Sequence, residues 1–305
     1  MHHQAIFIAI FLIYIVIVTA VMIALGIPTY PDSYFFVLII PVLFIHRTRR
    51  FILDWVPFLL LFLAYEFLRG LAGVLKPRAN YELGIQLDKW LGGTPTFTNL
   101  VQSHLYQIGK LHFYDYLVTI VYFLHFVAPL TFAFLLWMKN RQQFLRFTWA
   151  FLLLSYAGLV TFIIFPTAPP WLAAQNGLIP HVYKILEVTL SSFPDHLSLP
   201  TIYQNFNPNQ VAAIPSLHAA FPTLIFLYTV RFFGRRALPV IIYPALVWFS
   251  IIYLGEHYLS DALIGALYAV ASFIVVEKAF ASPKLKNWLK DKWPFWFKKE
   301  VIVKN

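Results

Sequence analysis

The sequence predicts an all-α polytopic integral membrane protein, in which a six-helix catalytic bundle is preceded by two further transmembrane helices. Hydrophobic residues make up 60% of the 305 residues and charged residues only 12%, whereas soluble domains carry roughly 25% charged residues. The apolar residues fall into about eight stretches, and most of these approach the roughly 20 residues that a helix needs to cross a bilayer. These observations together place the chain in a membrane.

The first two predicted spans form the N-terminal part of the chain. The first covers residues 5–27 and is expected to remain as an anchor, because no cleavage site for a signal peptide follows it. The second covers residues 34–45, is short and contains Pro41. A proline inside so short a stretch indicates a distorted span or a re-entrant segment.

The third predicted span, residues 52–75, leads into a polar segment at residues 76–112. Gly92 and Gly93 divide this segment into two amphipathic pieces. We expect both pieces to lie along the membrane interface, where a helix can bury one face in the headgroup region and expose the other.

Five more spans complete the bundle. A proline-rich break at residues 166–171 ends the fifth span, and the connection that follows, to residue 214, is expected to be partly helical because structureless loops of that length are uncommon. The tail at residues 284–299 interleaves Lys with Trp and Phe and is expected to bind anionic lipid at the membrane surface. The predicted spans are residues 113–138, a span ending at residue 165, and residues 215–230, 238–254 and 258–276.

These boundaries divide the chain into three parts. Residues 1–51 form the N-terminal transmembrane helices, residues 52–280 the catalytic transmembrane bundle, and residues 281–305 a cytoplasmic amphipathic tail that is basic and aromatic.

Composition also excludes several classes of function. The chain contains no cysteine, which rules out disulfides, zinc–thiolate sites and thiol nucleophiles. Its formal net charge of +10 is spread over loops between apolar stretches and belongs to no soluble basic domain. The membrane accounts for this charge, and nucleic acid is not an expected partner.

The basic residues also predict the orientation of the chain. Most of the 23 lysines and arginines fall in the loops on one side of the predicted spans, and the positive-inside rule assigns that side to the cytoplasm. The starts of the sixth and eighth spans, which carry His218 and His257, then face the extracytoplasmic side. The expected location is the plasma membrane.

Two histidines and one carboxylate lie at membrane depth, where ionisable residues are costly and usually mark a functional site. His257 and Asp261 are four residues apart, so the carboxylate can hydrogen-bond one ring nitrogen and leave the other as a lone-pair donor. Pro215 is expected at the first helical position of the sixth span, which puts His218 in the first turn. Two helix N-termini would then converge and favour an anion, and phosphate is the natural anion at a membrane surface.

This arrangement predicts a reaction at phosphorus. His257 attacks to form a phosphohistidine, Asp261 stabilises the imidazolium that develops, and His218 protonates the departing oxygen. A second acceptor then takes the phosphoryl group. Basic side chains on the same side would neutralise the phosphate oxygens. The candidates are Arg69, Lys76 and Arg78, with Lys184 as a further basic residue on that side.

Two motifs resemble those of the type 2 phosphatidic acid phosphatase superfamily, namely residues 215–218 (Pro-Ser-Leu-His) and the pair His257-x-x-x-Asp261. The resemblance implies a metal-independent histidine mechanism on membrane lipids, so no metal or cofactor is expected. It is closer to the branch of inositol phosphorylceramide synthase and its bacterial relatives, which transfer a phospho-headgroup between lipids. The stretches that carry this closer resemblance are residues 65–69, 165–171, 213–218 and 253–258.

The chain departs from the superfamily pattern at two positions. Leu217 stands where the second motif usually has Gly, and Ile251 stands where the third motif usually has Arg. A phosphate-binding cation must therefore come from elsewhere. The resemblance also implies a substrate pocket, and the residues assigned to it are Glu66, Pro169, Pro170, Trp171, Ser216, Glu256 and Tyr258.

The leading functional prediction is a membrane lipid phosphotransferase. It would move a phosphoryl group or a phospho-headgroup, such as phosphoinositol, from a phosphate-bearing lipid to an alcohol or lipid acceptor. A phosphatase that uses water as the acceptor is the runner-up and shares the first half-reaction. A lipid transporter or scramblase, whose histidines relay protons or gate, is the more distant alternative.

Several of these residues also fit simpler roles. Glu66 and Arg69 are three residues apart and share a helical face, so they can form an intramembrane ion pair. The two motif histidines could instead hold zinc or manganese together with Glu256 and Asp261. His125, within the fourth span, is expected to be a packed and hydrogen-bonded histidine.

Overall fold

The structure is a computed structural model that describes residues 13, 15–17, 19–20, 24, 48–194, 199, 201, 203 and 209–283. Within these residues the chain is helical, and only isolated β-bridges supplement the helices. The predicted all-α class is therefore confirmed.

Ten α-helices and two 3-10 segments make up this part of the chain. The 3-10 segments are Ala72–Arg78 and Arg235–Ile241. The α-helices are α1 (Thr48–Leu71), α2 (Leu83–Trp90), α3 (Phe97–Leu105), α4 (Phe113–Lys139), α5 (Arg141–Ile164), α6 (Pro170–Gln175), α7 (Ile185–Ser191), α8 (Leu217–Phe233), α9 (Ile242–Tyr253) and α10 (Leu259–Ala281).

Five helical segments of the described residues are long and apolar enough to cross a membrane. They contain α1, α4, α5, α9 and α10, and α8 is a sixth, shorter apolar helix. The chain is therefore a multi-pass integral membrane protein. The second predicted span and the basic aromatic tail at residues 284–299 lie outside the described residues, as does most of the first span.

Several predicted boundaries are wrong by a few residues. Helix α1 begins at Thr48 and continues as a 3-10 segment to Arg78. The seventh predicted span begins as a 3-10 segment before it becomes α9. The long connection after α5 does contain helix, because α6 and α7 lie within it.

The start of α8 corrects the expected position of Pro215. Ser216 is the N-cap, and its hydroxyl oxygen accepts a hydrogen bond from the Ala219 amide at 3.3 Å. Serine is a favoured N-cap residue because it satisfies an amide that has no partner inside the helix. Pro215 therefore precedes the cap instead of occupying the first helical position, while His218 remains in the first turn.

The start of α10 likewise changes the position of His257. The helix begins at Leu259 with Tyr258 as its N-cap, so His257 lies in the connection before the helix and not on it. The expected contact between His257 and Asp261 therefore depends on the path of this connection.

Aromatic side chains from α1, α4 and α5 fill one half of the core. Trp55 is fully buried and packs against Phe58, Phe134 and Phe144 with ring centroids 5.2–6.2 Å apart. Aromatic pairs at this separation gain energy beyond the area that they bury. This cluster holds α1 against the α4–α5 hairpin.

Helices α8 and α10 approach each other closely at their N-terminal ends. The Ser216 amide donates to the Asp261 carbonyl at 3.1 Å, and a Cβ added to Gly265 would lie 2.2 Å from the Ser216 carbonyl oxygen. Small residues allow the backbones of two membrane helices to make this kind of contact. Gly265 therefore sets the distance between the two helices that carry His218 and Asp261.

We expect Gly265→Ala to destabilise the protein by about 1–3 kcal/mol, the range found for overpacked cores. The added methyl group must displace the Ser216 backbone, so the midpoint of thermal unfolding in detergent should fall. Ala271→Val is the control, because it adds carbon atoms to an exposed position of the same helix. Equal midpoints for the two variants would contradict the close approach.

Candidate active site

The two motif histidines form a direct hydrogen bond. His218 Nδ1 and His257 Nε2 are 2.8 Å apart, and His257 Nδ1 lies 3.2 Å from Asp261 Oδ2. A carboxylate accepts only, so the Nδ1–H of His257 donates to Asp261 and its Nε2 keeps a lone pair. The structure thus brings together the three residues that the sequence singled out for chemistry.

The second nitrogen of His218 faces Tyr122 on α4. The Tyr122 hydroxyl lies 3.2 Å from His218 Nε2, and the two rings stack with centroids 5.2 Å apart. With His218 Nδ1–H donating to His257, its Nε2 accepts from the hydroxyl. Hydrogen bonds therefore connect Tyr122, His218, His257 and Asp261 in one chain.

His125 is a third histidine beside this chain. Its Nδ1 donates to the Tyr122 carbonyl, as expected for a packed and hydrogen-bonded histidine. Its ring centroid is also 4.1 Å from that of His218. The sequence did not predict this proximity.

The connection before α10 is fixed by backbone hydrogen bonds. The amides of Glu256 and His257 both donate to the Ile251 carbonyl, at 3.0 and 3.1 Å. Gly255 has φ of 86°, a left-handed conformation that glycine adopts without strain. The turn therefore aims His257 toward α8, although the residue does not lie on a helix.

Helix α3 holds this connection from the other side. The Thr98 hydroxyl donates to the His257 carbonyl at 3.2 Å. The Gln102 amide nitrogen donates to the Tyr183 and Tyr253 carbonyls, both at 2.8 Å, and its oxygen accepts from the Tyr183 amide at 2.9 Å. One buried glutamine thus joins α3, the loop before α7 and the end of α9.

Asp88 on α2 joins the N-terminal ends of α3 and α10. Its carboxylate oxygens accept from the Phe97 amide at 3.1 Å and the Ser260 amide at 3.0 Å. A carboxylate stabilises a helix N-terminus through its unpaired amides and its dipole. Burial raises the pKa of Asp88, and the hydrogen bonds from Ser260 and Phe97 oppose that rise.

The proline-rich break after α5 is held beside the start of α8. The Thr167 amide donates to the Val211 carbonyl at 3.0 Å, and the Thr167 hydroxyl accepts from the Ile214 amide at 2.9 Å. On its other side Thr167 forms a parallel bridge with Asn80. These bonds position the segment that contains Pro169 and Trp171, which line one cavity together with the two histidines.

A cavity opens onto the two histidines. Its wall is polar near the histidines and apolar deeper in the bundle. The polar lining residues include Glu66, Arg69, Tyr122, His125, Tyr203, Asn209, Gln210, His218, Glu256 and His257. The apolar lining residues include Phe62, Phe126, Leu130, Phe151, Phe162, Leu217 and Phe221.

The predicted site residues divide into those that line this cavity and those that do not. The lining residues are Glu66, Arg69, Pro169, Trp171, His218, Glu256 and His257. The residues outside the lining are Lys76, Arg78, Pro170, Ser216, Tyr258 and Asp261. Asp261 is fully buried and contacts His257, so it reaches the cavity only through that ring.

The other residues outside the lining have contacts of their own. Tyr258 is fully buried, and its ring lies where a side chain on Gly84 would be. Ser216 caps α8. Lys76 Nζ donates to Gln210 Oε1 at 2.8 Å, and Gln210 lines the cavity.

Charged residues of the cavity wall are paired or opposed by a nearby charge. Arg69 Nη2 lies 2.8 Å from Glu66 Oε2, as expected for two residues on one helical face. Burial raises the pKa of Glu256, while the positive charge of Lys184 and a hydrogen bond with Tyr203 lower it. Among the described residues, no group of three or more His, Asp and Glu side chains is placed to hold a metal ion.

Sequence reasoning missed the polar residues that reach the site from other segments, above all Tyr122, Tyr203 and Asn209. Tyr122 and His125 are three residues apart, so they share a helical face. A pair of polar side chains on one face of an otherwise apolar span was the available signal. Nothing in the sequence marks Asn209 or Tyr203.

Residues 86–275 match the PAP2 superfamily, and the chain belongs to this superfamily. A relative in Bacteroides thetaiotaomicron named phosphoinositol dihydroceramide synthase is 28% identical over 246 residues, which cover 75% of this chain and 78% of that protein. No solved structure matches the chain significantly.

Fungal relatives carry related names. The inositol phosphorylceramide synthase of Candida albicans is 27% identical over 177 residues, covering 56% of this chain and 37% of that protein. The catalytic subunit of the Schizosaccharomyces pombe inositol phosphorylceramide synthase is 26% identical over 220 residues, covering 68% and 51%. The chain thus spans about half or less of the length of these fungal proteins.

We expect Gln102→Leu to lower both thermal stability and activity. Removal of the side-chain amide leaves the backbone carbonyls of Tyr183 and Tyr253 and the backbone N–H of Tyr183 without partners. Each buried group left unpaired costs about 1–3 kcal/mol. Thermal unfolding of the purified protein measures the loss. Gln86→Leu is the control, since Gln86 is exposed on α2; a similar effect of both variants would show that the Gln102 contacts are unimportant.

Proposed function

We propose that this PAP2 superfamily protein is a membrane lipid phosphotransferase that moves a phosphoinositol headgroup from a phospholipid to the hydroxyl group of a ceramide-like lipid. One observation carries the proposal: two histidine rings and an aspartate are joined by hydrogen bonds of 2.8 and 3.2 Å at the polar end of a partly apolar cavity. The names of the relatives supply the headgroup and the acceptor class.

The first half-reaction begins when the phosphate enters between the two histidines. The Nε2 lone pair of His257 attacks phosphorus, and Asp261 stabilises the positive charge that develops on the ring through its hydrogen bond to Nδ1. The bound phosphate anion favours a doubly protonated His218, whose Nε2–H then donates to the Tyr122 oxygen. Its Nδ1 proton goes to the departing oxygen of the lipid alcohol. The products are a phosphoinositol–histidine intermediate and a lipid alcohol.

The second half-reaction uses the same groups in the reverse direction. The neutral His218 now accepts the proton of the acceptor hydroxyl at Nδ1, and that oxygen attacks phosphorus. The bond between phosphorus and His257 Nε2 breaks, and the new phospholipid leaves. Tyr122 orients the His218 ring in both steps, because its hydroxyl faces the other ring nitrogen at 3.2 Å.

The shape of the cavity supports a lipid as both donor and acceptor. Phe62, Phe151, Phe162 and Phe221 line its deeper end and approach the middle of the bundle. An apolar wall adjoining the catalytic histidines suits the hydrocarbon chains of a lipid whose phosphate lies at the polar end. A soluble phosphate ester would leave this surface uncovered.

Arg69 is the proposed phosphate-binding cation. It lines the cavity and is held in place by Glu66, and a preorganised cation stabilises the charge on the phosphoryl oxygens. Lys76 lies farther out, where it contacts the lining residue Gln210. Arg78 is a weaker candidate, since it does not line the cavity.

We also propose that the reaction occurs at the extracytoplasmic face, in the plasma membrane. The histidines lie at the N-terminal end of α8, while Arg231 and Arg146 pair with Glu277 near the C-terminal ends of α8 and α10. Helix α8 has 17 residues, so at 1.5 Å per residue it separates these groups by roughly 20 Å. The basic end fits the cytoplasmic side by the positive-inside rule.

The experiment that tests the function uses phosphatidylinositol labelled in its inositol ring, with ceramide as acceptor, in detergent or vesicles. We expect the purified protein to form labelled inositol phosphorylceramide. His257→Ala should lower the rate at least about 1,000-fold, as loss of a nucleophile does in other enzymes. His181→Ala is the matched control, because His181 is exposed and lies outside the cavity lining.

The other outcomes distinguish the alternatives. Labelled inositol phosphate without labelled lipid would indicate that water is the acceptor, and release of phosphate from phosphatidic acid alone would indicate a phosphatase. No product from any donor, with lipid movement across vesicles, would indicate a transporter. Full activity of His257→Ala would contradict the proposed mechanism.

We expect Asp261→Asn to lower the transfer rate about 100- to 10,000-fold, by analogy with the carboxylate that orients a catalytic histidine elsewhere. An asparagine can present its N–H to His257 Nδ1 and so favour the tautomer in which Nε2 carries the proton and cannot attack. Transfer kinetics of the variant measure the loss, with Glu82→Gln as an exposed control. A rate within a few-fold of the wild type would contradict the role of Asp261.

A further inference from the structure

The cavity contains polar atoms that have no partner within the protein. Among the buried side-chain atoms of the described residues that lack a hydrogen bond, three belong to cavity-lining residues: Trp171 Nε1, Asn209 Nδ2 and Glu256 Oε1. These side chains are only 5%, 2% and 4% exposed. Buried polar atoms in native proteins are almost always paired, so a cluster of exceptions in one cavity indicates a ligand.

Each of the three atoms is held in a fixed place. Asn209 Oδ1 accepts from the Val211 amide at 3.1 Å, which leaves the amide nitrogen as the free donor. Glu256 belongs to the fixed turn that carries His257. Trp171 lies in the first turn of α6, just after the segment that the bonds of Thr167 hold against the start of α8. The group therefore forms a preorganised set of two donors and one acceptor beside the nucleophile.

From this geometry we propose that Trp171, Asn209 and Glu256 form the subsite that recognises the hydroxyl groups of the transferred headgroup. A hydroxyl group both donates and accepts, so a polyol ring can donate to Glu256 and accept from Asn209 and Trp171. The inference rests on the proposed phosphoinositol transfer and adds which residues select the polyol. Glu256 directly precedes the nucleophile in the chain, so the subsite and the phosphorus atom are adjacent.

The aromatic faces around the subsite favour a neutral polyol over a quaternary ammonium headgroup. Lys184 Nζ lies 4.3 Å from the centroid of the Trp171 ring and 5.3 Å from that of Tyr203. These are the ring faces that would otherwise bind a choline-like cation. Lys184 is held there by an ion pair with Glu187 Oε1 at 2.5 Å, so a cation of the protein already occupies both ring faces.

The subsite acts in both half-reactions. The headgroup stays attached to phosphorus when the lipid alcohol leaves and when the acceptor attacks, so its hydroxyl groups can keep the same partners throughout. Loss of one partner should therefore reduce kcat/KM for phosphatidylinositol and also reduce discrimination against analogues that lack the matching hydroxyl.

The test combines variants that each remove one polar group with donor lipids that each lack one ring hydroxyl. Glu256→Gln replaces the charged acceptor, and Trp171→Phe removes the indole N–H while it keeps a ring. For phosphatidylinositol we expect kcat/KM to fall about 10- to 100-fold in Glu256→Gln and about 3- to 10-fold in Trp171→Phe. One deoxy analogue lacks the hydroxyl that binds the substituted residue. For that analogue, the kcat/KM values of wild type and variant should differ by less than about threefold, because the interaction is already absent.

Glu82→Gln is the control, because Glu82 is an exposed carboxylate on the surface of the chain, and thermal unfolding of each variant verifies that it folds. If either variant fails to fold, the other still tests the same subsite. If a variant lowers kcat/KM by the same factor for every donor, so that discrimination among the deoxy analogues is unchanged, the proposed subsite is wrong and the transfer function remains intact. Absence of transfer from phosphatidylinositol by the wild-type protein would instead overturn the proposed function, and the subsite with it.

Discussion

The contact between the N-terminal ends of α8 and α10 is the constraint on which the rest of the structure depends. The Ser216 amide donates to the Asp261 carbonyl, and Gly265 provides the space for the Ser216 backbone. This contact brings His218, in the first turn of one helix, to the histidine just before the other. A separation of a few ångströms more would break the 2.8 Å hydrogen bond between their rings.

Much of the remaining polar structure serves to hold the connection that carries His257. Because His257 does not lie on a helix, its ring would be mobile without support from neighbouring segments. Gln102 and Thr98 on α3 and Asp88 on α2 provide that support through buried hydrogen bonds to backbone groups. Helices α2 and α3, which the sequence predicted only as interfacial segments, thus fix the orientation of His257.

The cavity explains how one site can serve a reaction between two lipids. Its polar end holds the histidines, Arg69 and the unpaired atoms of Trp171, Asn209 and Glu256, and its deeper end is lined by phenylalanines. Buried polar groups without partners are costly, and a functional site is where a protein tolerates that cost. The apolar wall also lowers the local dielectric, which would strengthen the proposed interaction of the histidines with a phosphate.

The sequence by itself determined the all-α membrane class, most helix positions and the three residues at the centre of the site, because apolar stretches of membrane length and ionisable residues at their ends are local signals. Only the tertiary structure decided which polar residues join them. Tyr122 and His125 lie on α4, and Asn209 comes from a segment more than 80 residues later in the chain. Lys76, Pro170 and Tyr258 lie outside the cavity lining, although they were predicted to belong to the site. The physical reason is that the direction of a side chain in an apolar bundle depends on how each helix is rotated and how closely the backbones approach. Packing sets both, and the hydrophobicity of the sequence alone does not encode them.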